Sequence, residues 1–431
     1  MDKPASVGIH ALEVYFPQSY ILLDDLEERD IQLQGEDQRA KIKGKYTKGL
    51  GQHALAFCSD HEDIVSIMMN AVSNLMKHYG YKQSDFGRLE IGTESSFDRS
   101  KSLKSYIMQL FPENRTLIGV DNVNACYGGT AALLNSLAWV ESSQWDGRLA
   151  LVVAADIAVY EDVNARPTGG CGAVAMVIGP NAPIVIQPGL VASYFSHSYD
   201  FYKPNPENPH PIVDGPLSLM IYYESLEQCY MEYRKRQPGL KIEDFDYICL
   251  HTPFINHIKK CAGRLLFIND KDPADPIIES TRKDAKIVSE WSQIAKPMFD
   301  AKVEPSCLLS RNCGNGYTSS LYLAIASLID SSDMQNKRVM CFSYGSGSAS
   351  SMYSFKVEGD ISKIKMHLDL KSRLDKRIKR TVLEYEASVK KAHDLYLNAP
   401  YQPSDSLEYV SEGCWYLDSV DSKWRRSYKM K

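Results

Sequence analysis

The chain lacks several features that would assign it to a class at once. Its ten cysteines include no C-x-x-C pair, so the sequence favours neither a zinc site nor a disulfide scaffold. No apolar run approaches the roughly 20 residues that span a bilayer. The opening MDKPASVGIHALEVYF has neither the basic stretch nor the apolar core of a signal peptide. With a net charge of −5, the chain lacks the basic surplus typical of a general nucleic-acid-binding protein.

These absences lead to a set of negative expectations. We expect a cytoplasmic protein with reduced thiols that holds no metal and binds neither nucleic acid nor membrane. What is present is an ordinary globular composition, with 44% hydrophobic and 24% charged residues. A length of 431 residues predicts two domains or one duplicated domain.

One set of predicted elements occurs twice along the chain. The first copy is FGRLEIGTESS, CYGGTAALLNSLAWVESS and RLALVVAADIAVYE, and the second is FDYICLHTP, GNGYTSSLYLAIASLIDSS and KRVMCFSYGSGSAS. The two glycine-opened helices align when Thr130 is placed on Thr318. Apolar strands alternating with helices indicate an α/β fold with a mostly parallel sheet covered on both faces. The sequence therefore predicts an internal duplication.

The repeats also suggest domain bounds. We expect an N-terminal half over residues 1–190, a loop-rich insertion over 191–240 that lines the site, and a C-terminal half with an extension over 241–431. Ligands of open α/β sheets bind outside the carboxyl ends of the strands. The residues that end the repeated elements are therefore the candidates, namely Glu94, Cys126, Asp156, His251, Asn315 and Ser346.

Cys126 is placed where a nucleophile would be expected. It precedes Gly128 and Gly129, which open a helix, and the unpaired N–H groups of a first helical turn favour an anion. We expect a thiol at this place to ionise more readily than a free one. The alternative stays open that Cys126 is a small core residue, His251 a buried histidine and Glu94 a capping or ion-paired carboxylate. Together the three could form a thioester and move a proton to and from carbon.

The loop GKYTKGLGQ, residues 44–52, is basic and contains glycine. It is either a simple connector or a place where a phosphate group is met. The residues alone leave this choice open.

Several segments are similar to one known family. They are GKYTKGLGQ, GTESSFDRSKS, NACYGGTAAL, WDGRLALVVAADIAVY, NARPTGGCGAVAMVIGPNAP, YDFYKP, PIVDGPLS, YTSSLY, FSYGSG and DLKSRLD. Nearly end to end, the chain resembles the eukaryotic-type 3-hydroxy-3-methylglutaryl-CoA (HMG-CoA) synthases of the thiolase superfamily. The resemblance implies an α/β, thiolase-like fold of internally duplicated mixed sheets with helices in layers (αβαβα), and a homodimer.

The resemblance also implies an activity. Acetyl-CoA, acetoacetyl-CoA and water would give HMG-CoA and CoA, a step of the mevalonate pathway toward isoprenoids and sterols, with no cofactor beyond the substrates. Cys126 would carry the acetyl group, Glu94 would act as general acid and base, and His251 would polarise acetoacetyl-CoA. The implied substrate-binding residues are Tyr127, Asp156, Asn164, Thr168, Asp200, Ser218, Lys260, Asn315 and Ser346.

One departure and two alternatives accompany this resemblance. Asn256 stands where the family usually has a lysine that contacts CoA phosphates, whereas Lys260 is retained. Another thiolase-fold condensing enzyme would use Cys/His/His, Cys/His/Asn or two cysteines, and Glu94 argues against it. A catalytically silent CoA-binding homologue is the second alternative, and the presence of all three chemical residues argues against it.

Overall fold

A computed structural model describes residues 4–272 and 275–431. The strands of this described part are β1 (Gly8–Tyr15), β2 (Ser19–Leu22), β3 (Ala54–Ala56), β4 (Phe86–Thr93), β5 (Asp121–Val123), β6 (Leu149–Ala158), β7 (Gly170–Gly179), β8 (Ile184–Ile186), β9 (Ala192–Phe195), β10 (Phe201–Tyr202), β11 (Ile212–Val213), β12 (Tyr247–Leu250), β13 (Arg338–Gly345), β14 (Ala349–Val357), β15 (Ile378–Lys379), β16 (Trp415–Val420) and β17 (Arg426–Met430).

Fifteen α-helices lie in the described part of the chain. They are α1 (Leu23–Gln34), α2 (Arg39–Ile42), α3 (Ile64–Tyr79), α4 (Leu103–Ile107), α5 (Gly128–Val140), α6 (Gly215–Arg236), α7 (Ile255–Ile268), α8 (Ile277–Arg282), α9 (Ala285–Ile294), α10 (Lys296–Met298), α11 (Leu308–Cys313), α12 (Ser320–Ser331), α13 (Ser362–Leu368), α14 (Leu370–Asp375) and α15 (Val382–Leu397). Among residues 4–272 and 275–431, no helix is long and apolar enough to cross a membrane.

The main sheet contains the same strand arrangement twice. Ten strands form one sheet, in the order β12-β13-β14-β8-β1-β7-β6-β4-β5, with β9 beside β14. In the first copy β4 pairs parallel with β6, β6 antiparallel with β7, and β7 antiparallel with β1. In the second copy β12, β13, β14 and β8 repeat these pairings. The predicted duplication is confirmed, and the copies join where Ile9 pairs with Ile184.

The expectation of a mostly parallel sheet was wrong. Only β4–β5, β4–β6 and β12–β13 are parallel pairs in the described part of the main sheet. A parallel pair needs a crossover of a dozen or more residues, usually a helix, whereas β13 returns into β14 through the short turn 346–348. The sheet is therefore mixed, as the family resemblance implied.

The helices form layers on both sides of the sheet and between its two halves. α5 and α12 pack in a shared central core that includes Leu133, Ile325, Val152 and Tyr353. α3 covers the N-terminal half from outside, and α6 and α7 cover the C-terminal half. The long central helices bring the ends of the repeated strands to one place, which is where the candidate residues lie.

The segment 191–240 is only partly loop. Helix α6 fills residues 215–236 and packs against β9 and β14, as α3 packs against β1 and β7 in the first half. The domain bounds at 190 and 240 stay a prediction. The C-terminal extension adds α15 and the hairpin β16–β17, which is tied to α3 by the bond from Asn70 Nδ2 to the carbonyl of Trp415 (3.0 Å).

Candidate active site

Cys126 lies at a sharp turn between β5 and α5. Its φ of +52° is in the left-handed region, which a non-glycine residue rarely adopts. The N–H of Tyr127 donates to the carbonyl of Ala125 (2.6 Å), and that of Gly128 donates to Asn124 (3.3 Å). A Cβ on Gly92, at the end of β4, would lie 2.3 Å from the nitrogen of Gly129. Only glycine lets the strand end come so close to the helix start.

Glu94 follows the last residue of β4 and faces this turn. The backbone N–H of Cys126 donates to Glu94 Oε2 (2.7 Å). On the other side, Lys203 Nζ lies 2.9 Å from Glu94 Oε1, and the Glu94 side chain is only 5% exposed. The carboxylate is thus held directly beside the cysteine by one amide and one ammonium group.

Asp156 holds the segment that carries Glu94 in place. It is fully buried, and its Oδ1 accepts hydrogen bonds from the N–H of Glu94 (2.8 Å) and the hydroxyls of Thr93 (2.8 Å) and Ser95 (2.7 Å). Its Oδ2 accepts from the N–H (2.9 Å) and hydroxyl (2.5 Å) of Thr318, in the C-terminal half. Burial, and then the charge of Glu94, raise the pKa of Asp156 to about 6. Asp156 therefore positions Glu94 and joins the two halves.

The expectation that the Cys126 thiol ionises more readily than a free thiol was wrong. Burial, followed by the negative charges of Glu94 and Asp156, raises the pKa of Cys126 well above its usual value, and Lys203 opposes this only in part. The amides at the start of α5 already donate to the carbonyls of Asn124 and Ala125. Burial, together with the two nearby carboxylates, therefore keeps Cys126 protonated as a thiol.

His251 lies directly after β12 and is buried. Burial lowers its pKa to about 3, so the imidazole is neutral at physiological pH. Its ring lies 6.3 Å from the ring of Tyr222 and 6.4 Å from that of Tyr344, and its carbonyl accepts the Tyr222 hydroxyl (2.6 Å). Its Nδ1 has no hydrogen-bond partner in the described part of the chain. A neutral ring with a free nitrogen is suited to hydrogen-bond an uncharged carbonyl.

The turn between β13 and β14 connects the surroundings of His251 to the cysteine, because Tyr344 lies beside the His251 ring. A Cβ on Gly345 would lie 1.7 Å from the carbonyl oxygen of Ala125, so the turn that carries Ser346 abuts the Cys126 segment. Asp200 is fully buried and holds the turn by accepting from Tyr344 Oη (3.0 Å) and the N–H of Gly347 (3.0 Å). Asp200, like Asp156, is thus a buried support.

Three further predicted residues are Tyr127, which follows the cysteine directly, and the pair Thr168 and Asn315. Tyr127 precedes α5, and its hydroxyl lies 2.7 Å from Ser351 Oγ. Asn315 is buried, with its N–H directed to the carbonyl of Gly169 (3.3 Å) and its Oδ1 accepting from Tyr317 (2.9 Å). Thr168, next to Gly169, ends a short turn. These contacts bring Thr168 and Asn315 together although they come from different halves.

The remaining predicted residues are exposed or, in the case of Ser218, half-buried, and none is hydrogen-bonded to Cys126 in the described part of the chain. Asn164 is exposed, and its Oδ1 accepts from Lys45 Nζ (3.3 Å). Lys260 is exposed on α7, and Ser218 lies in the first turn of α6. The candidate residues therefore divide into an inner group around Cys126 and an outer group at the rim.

Sequence reasoning missed Lys203 and Thr318 as members of the inner group. Burial acts to lower the pKa of Lys203, but the charges of Glu94 and Asp156 outweigh it and raise that pKa. A cavity of about 310 Å³, lined in part by Pro206 and Tyr396, opens onto the Lys203–Glu94 pair. The signals in the sequence were the position of Lys203 in the distinctive segment YDFYKP and that of Thr318 in YTSSLY. Within residues 4–272 and 275–431, no group of three or more His, Cys, Asp or Glu side chains could hold a metal ion.

Comparison with known proteins decides the family. The family model described as hydroxymethylglutaryl-coenzyme A synthase N terminal matches residues 3–183, and the C-terminal model matches residues 184–431. The chain belongs to the HMG-CoA synthase family. The family resemblance drawn from the sequence motifs is confirmed. The two models meet at the start of β8, which pairs with the C-terminal strand β14.

Individual HMG-CoA synthases agree over almost their whole length. The hydroxymethylglutaryl-CoA synthase of Saccharomyces cerevisiae is 42% identical, with 100% of this chain and 91% of the relative covered. The cytoplasmic human enzyme is also 42% identical, with 99% and 87% covered. The solved structure of MvaS in complex with 3-hydroxy-3-methylglutaryl coenzyme A superposes with a TM-score of 0.85 at 30% identity and covers 100% of both chains. The thiolase-like layered fold is thereby confirmed.

Proposed function

We propose that this chain condenses acetyl-CoA with acetoacetyl-CoA and water to give HMG-CoA and CoA. The observation that carries the proposal is the direct contact of the Glu94 carboxylate with the backbone of Cys126, at the meeting point of two family-matched halves. A thiol and a carboxylate in contact suit acyl transfer followed by proton transfer at carbon. The full-length likeness to HMG-CoA synthases supports the same reaction.

The first step is acetyl transfer to Cys126. Its sulfur attacks the thioester carbonyl, the bond to the CoA sulfur breaks, and the thiol proton ends on the departing CoA. Because the pKa of Cys126 is raised, the proton leaves during the attack rather than before it. The Glu94 carboxylate is the adjacent group that can accept this proton and pass it to the leaving sulfur.

The second step forms the carbon–carbon bond. Glu94 removes a proton from the methyl group of acetyl-Cys126, and the resulting carbanion attacks the ketone of acetoacetyl-CoA. Protonated Glu94 then gives its proton to the new alkoxide. His251, being neutral, hydrogen-bonds an acetoacetyl-CoA carbonyl without a competing charge. Water finally hydrolyses the thioester and regenerates the Cys126 thiol.

The substrates supply all the groups that react, so we infer that the enzyme uses no further cofactor and no metal. The outer residues Asn164, Ser218 and Lys260 are the contacts proposed for the CoA portion, with Thr168, Asn315 and Ser346 nearer the acyl group. The cytoplasmic names of the mouse and human relatives support a cytoplasmic enzyme of the mevalonate pathway. We propose no nucleic-acid or membrane partner.

We further propose a homodimer that pairs through β5. This strand ends the main sheet, and an exposed strand edge is a template for pairing with another chain. Ile118, Val120 and Val123, on and beside it, are 49%, 57% and 69% exposed. Sedimentation should give the mass of a dimer, and Val123→Asp should shift it toward the monomer.

Labelling with acetyl-CoA tests the reaction. We expect one acetyl group per chain on the peptide that contains Cys126, detected by intact mass and peptide mapping, and none on the Cys126→Ala variant. Added acetoacetyl-CoA should discharge the label as HMG-CoA. Equal labelling of Cys126→Ala would overturn the assignment, and an unlabelled wild-type chain that still binds CoA would indicate a silent homologue.

A further inference from the structure

Three backbone N–H groups of the loop 44–52 already bind a carboxylate of this chain. The buried carboxylate of Glu27 accepts hydrogen bonds from the N–H groups of Gly44 (2.8 Å), Tyr46 (2.8 Å) and Thr47 (2.9 Å). These three N–H groups are therefore not free to bind a phosphate. The cationic side chains that the loop presents outward are those of Lys45 and Lys48, both exposed.

Asn256 fastens this loop to the element that follows His251. Its backbone N–H donates to the carbonyl of Leu50 (2.9 Å). Its side-chain Nδ2 donates to the carbonyls of both Lys48 (2.7 Å) and Gly49 (2.9 Å). Gly51 has a φ of +76°, and a Cβ there would lie 3.0 Å from Asn256 Oδ1. The loop and the first turn of α7 are thus packed so closely that a glycine is needed between them.

This attachment gathers positive charge at the outer group of the site. Lys260 lies one helical turn after Asn256, on the same face of α7 as the residue that holds Lys48. Lys45 reaches across to Asn164, which belongs to the outer group. The loop that carries Lys45 and Lys48 therefore lies against the helix that carries Lys260. A cluster of this kind suits a ligand with several phosphate groups.

We propose that Asn256 is a positioning residue for phosphate-bearing thioesters: it holds the loop 44–52 on α7 so that Lys45 and Lys48 meet the phosphates beside Lys260. This inference rests on the proposed function, because it assumes CoA thioesters as substrates. Asn256 thus does more than leave a lysine position vacant. In place of a lysine that would itself carry a charge, Asn256 holds a loop whose lysine side chains carry the charge.

The test compares two acyl donors that differ only in their phosphates. With Asn256→Ala we expect the KM for acetyl-CoA to rise about tenfold while kcat stays within twofold, because the loop lysines lose their fixed place. Acetylation of Cys126 by acetyl-pantetheine, which has no phosphate, should be unchanged. The salt dependence of the KM for acetyl-CoA should also weaken, since fewer ordered cations face the phosphates.

Two further variants complete the design. Asn398→Ala is a matched control, because Asn398 also donates its Nδ2 to a backbone carbonyl, that of Asp394, but at the end of α15. It should leave both donors unaffected. In the Lys48→Ala background, Asn256→Ala should add little, since both act through the same side chain.

Several outcomes would overturn the inference. An unchanged KM for acetyl-CoA in Asn256→Ala would show that the loop needs no clamp. Equal losses with both donors would indicate general damage to the His251 region, and full additivity with Lys48→Ala would exclude a shared role. Failure of the proposed function looks different, because wild-type Cys126 would then accept acetyl from neither donor.

Discussion

Glu94 and His251 hold the same place in two copies of one fold. Each is the first residue after a repeated strand, β4 or β12, and the strand register sets Asp156 beside Glu94 and Ser343 beside His251. The threonines that align cross over between halves, Thr318 to Asp156 and Thr130 to Ser343 (2.7 Å). The two copies therefore share one backbone arrangement but differ in charge. The N-terminal copy carries the acidic side chains of Glu94 and Asp156, whereas the C-terminal copy carries the neutral side chains of His251 and Ser343.

The turns before the two central helices differ in the same sense. When Thr130 is aligned with Thr318, Cys126 corresponds to Gly314, and both have a positive φ, +52° and +81°. The duplicated turn requires a positive φ in both halves. In the N-terminal half a cysteine accepts that conformation, and its thiol is presented to Glu94. We infer that the comparison separates two tasks, with covalent and proton chemistry in one half and neutral carbonyl recognition in the other.

Removal of the acidic group in the ionic half should have the largest effect. For Glu94→Ala we expect condensation to fall by about 10²- to 10⁴-fold, the usual contribution of a general acid and base. Acetylation of Cys126 should persist at a reduced rate, because Glu94 no longer accepts the thiol proton. Alkylation of the thiol by iodoacetamide should become faster, because a negative charge that raises the pKa of Cys126 is gone. Normal HMG-CoA formation by this variant would require another base.

The two buried supports should differ in their contribution to stability. Asp156→Ala leaves several buried donors unpaired, so we expect it to lower the free energy of unfolding by about 3 kcal/mol or more, against about 1 kcal/mol for Ser343→Ala. Thr130 keeps its contact with Tyr322 when Ser343 is truncated (2.9 Å). Urea denaturation measures both. Equal losses would show that charge at this place is irrelevant to folding.

The same pair predicts a pH dependence. The pKa of Asp156 is raised to about 6 in the folded protein, so the fold favours the protonated carboxyl. The resulting contribution to the free energy of unfolding is fully present when the pH is below the pKa of Asp156 in the unfolded chain, and it is lost as pH rises through about 6. The difference between wild type and Asp156→Ala should therefore narrow between pH 5 and pH 8. Because serine does not titrate in this range, the difference in the free energy of unfolding between wild type and Ser343→Ala should stay constant with pH.

His251, in the C-terminal half, should make the free energy of unfolding depend on pH in the opposite direction. The pKa of His251 is lowered to about 3, so unfolding gains a proton below pH 6.5 and the folded state loses stability as pH falls. Between pH 7.5 and pH 5, His251→Gln should lose about 2 kcal/mol less than wild type. His257, whose pKa is also lowered to about 3 by burial, should give the same result when changed to Gln. A wild-type acid profile in both variants would mean that these rings are not neutral in the fold.

The smallest expected effect concerns Lys203. Lys203→Met removes the ammonium group beside Glu94, and we expect condensation to fall about tenfold, the equivalent of about 1.4 kcal/mol. Because Lys203 acts to lower the pKa of Cys126, alkylation of the thiol at pH 8 should slow. Lys203→Arg keeps the charge and should restore most of both properties. Wild-type alkylation in Lys203→Met would mean that the ion pair does not influence the thiol.

Much of this site could be predicted from residues alone. The glycine pair after Cys126 marks a strand-to-helix turn, and Glu94 and His251 end strands whose repeat is visible in the sequence. The thiol pKa could not be predicted, because it depends on how close Glu94 and Asp156 lie to a sulfur 30 or more residues distant along the chain. Lys203 and Thr318 were missed for the same reason, since their contacts cross segments that no local pattern connects.

By itself, the sequence determined that the fold is duplicated, that Cys126, Glu94 and His251 end repeated elements, and which family the chain belongs to. The first two follow from local apolar periodicity and glycine placement, which act over a few residues, and the family follows from the resemblance of the quoted segments to its known members. Only the tertiary structure decided that the two copies form one continuous sheet, that Asp156 and Asp200 are supports, and that Cys126 rests protonated. Burial and charge proximity arise only when distant segments pack together, so they cannot be read along the chain.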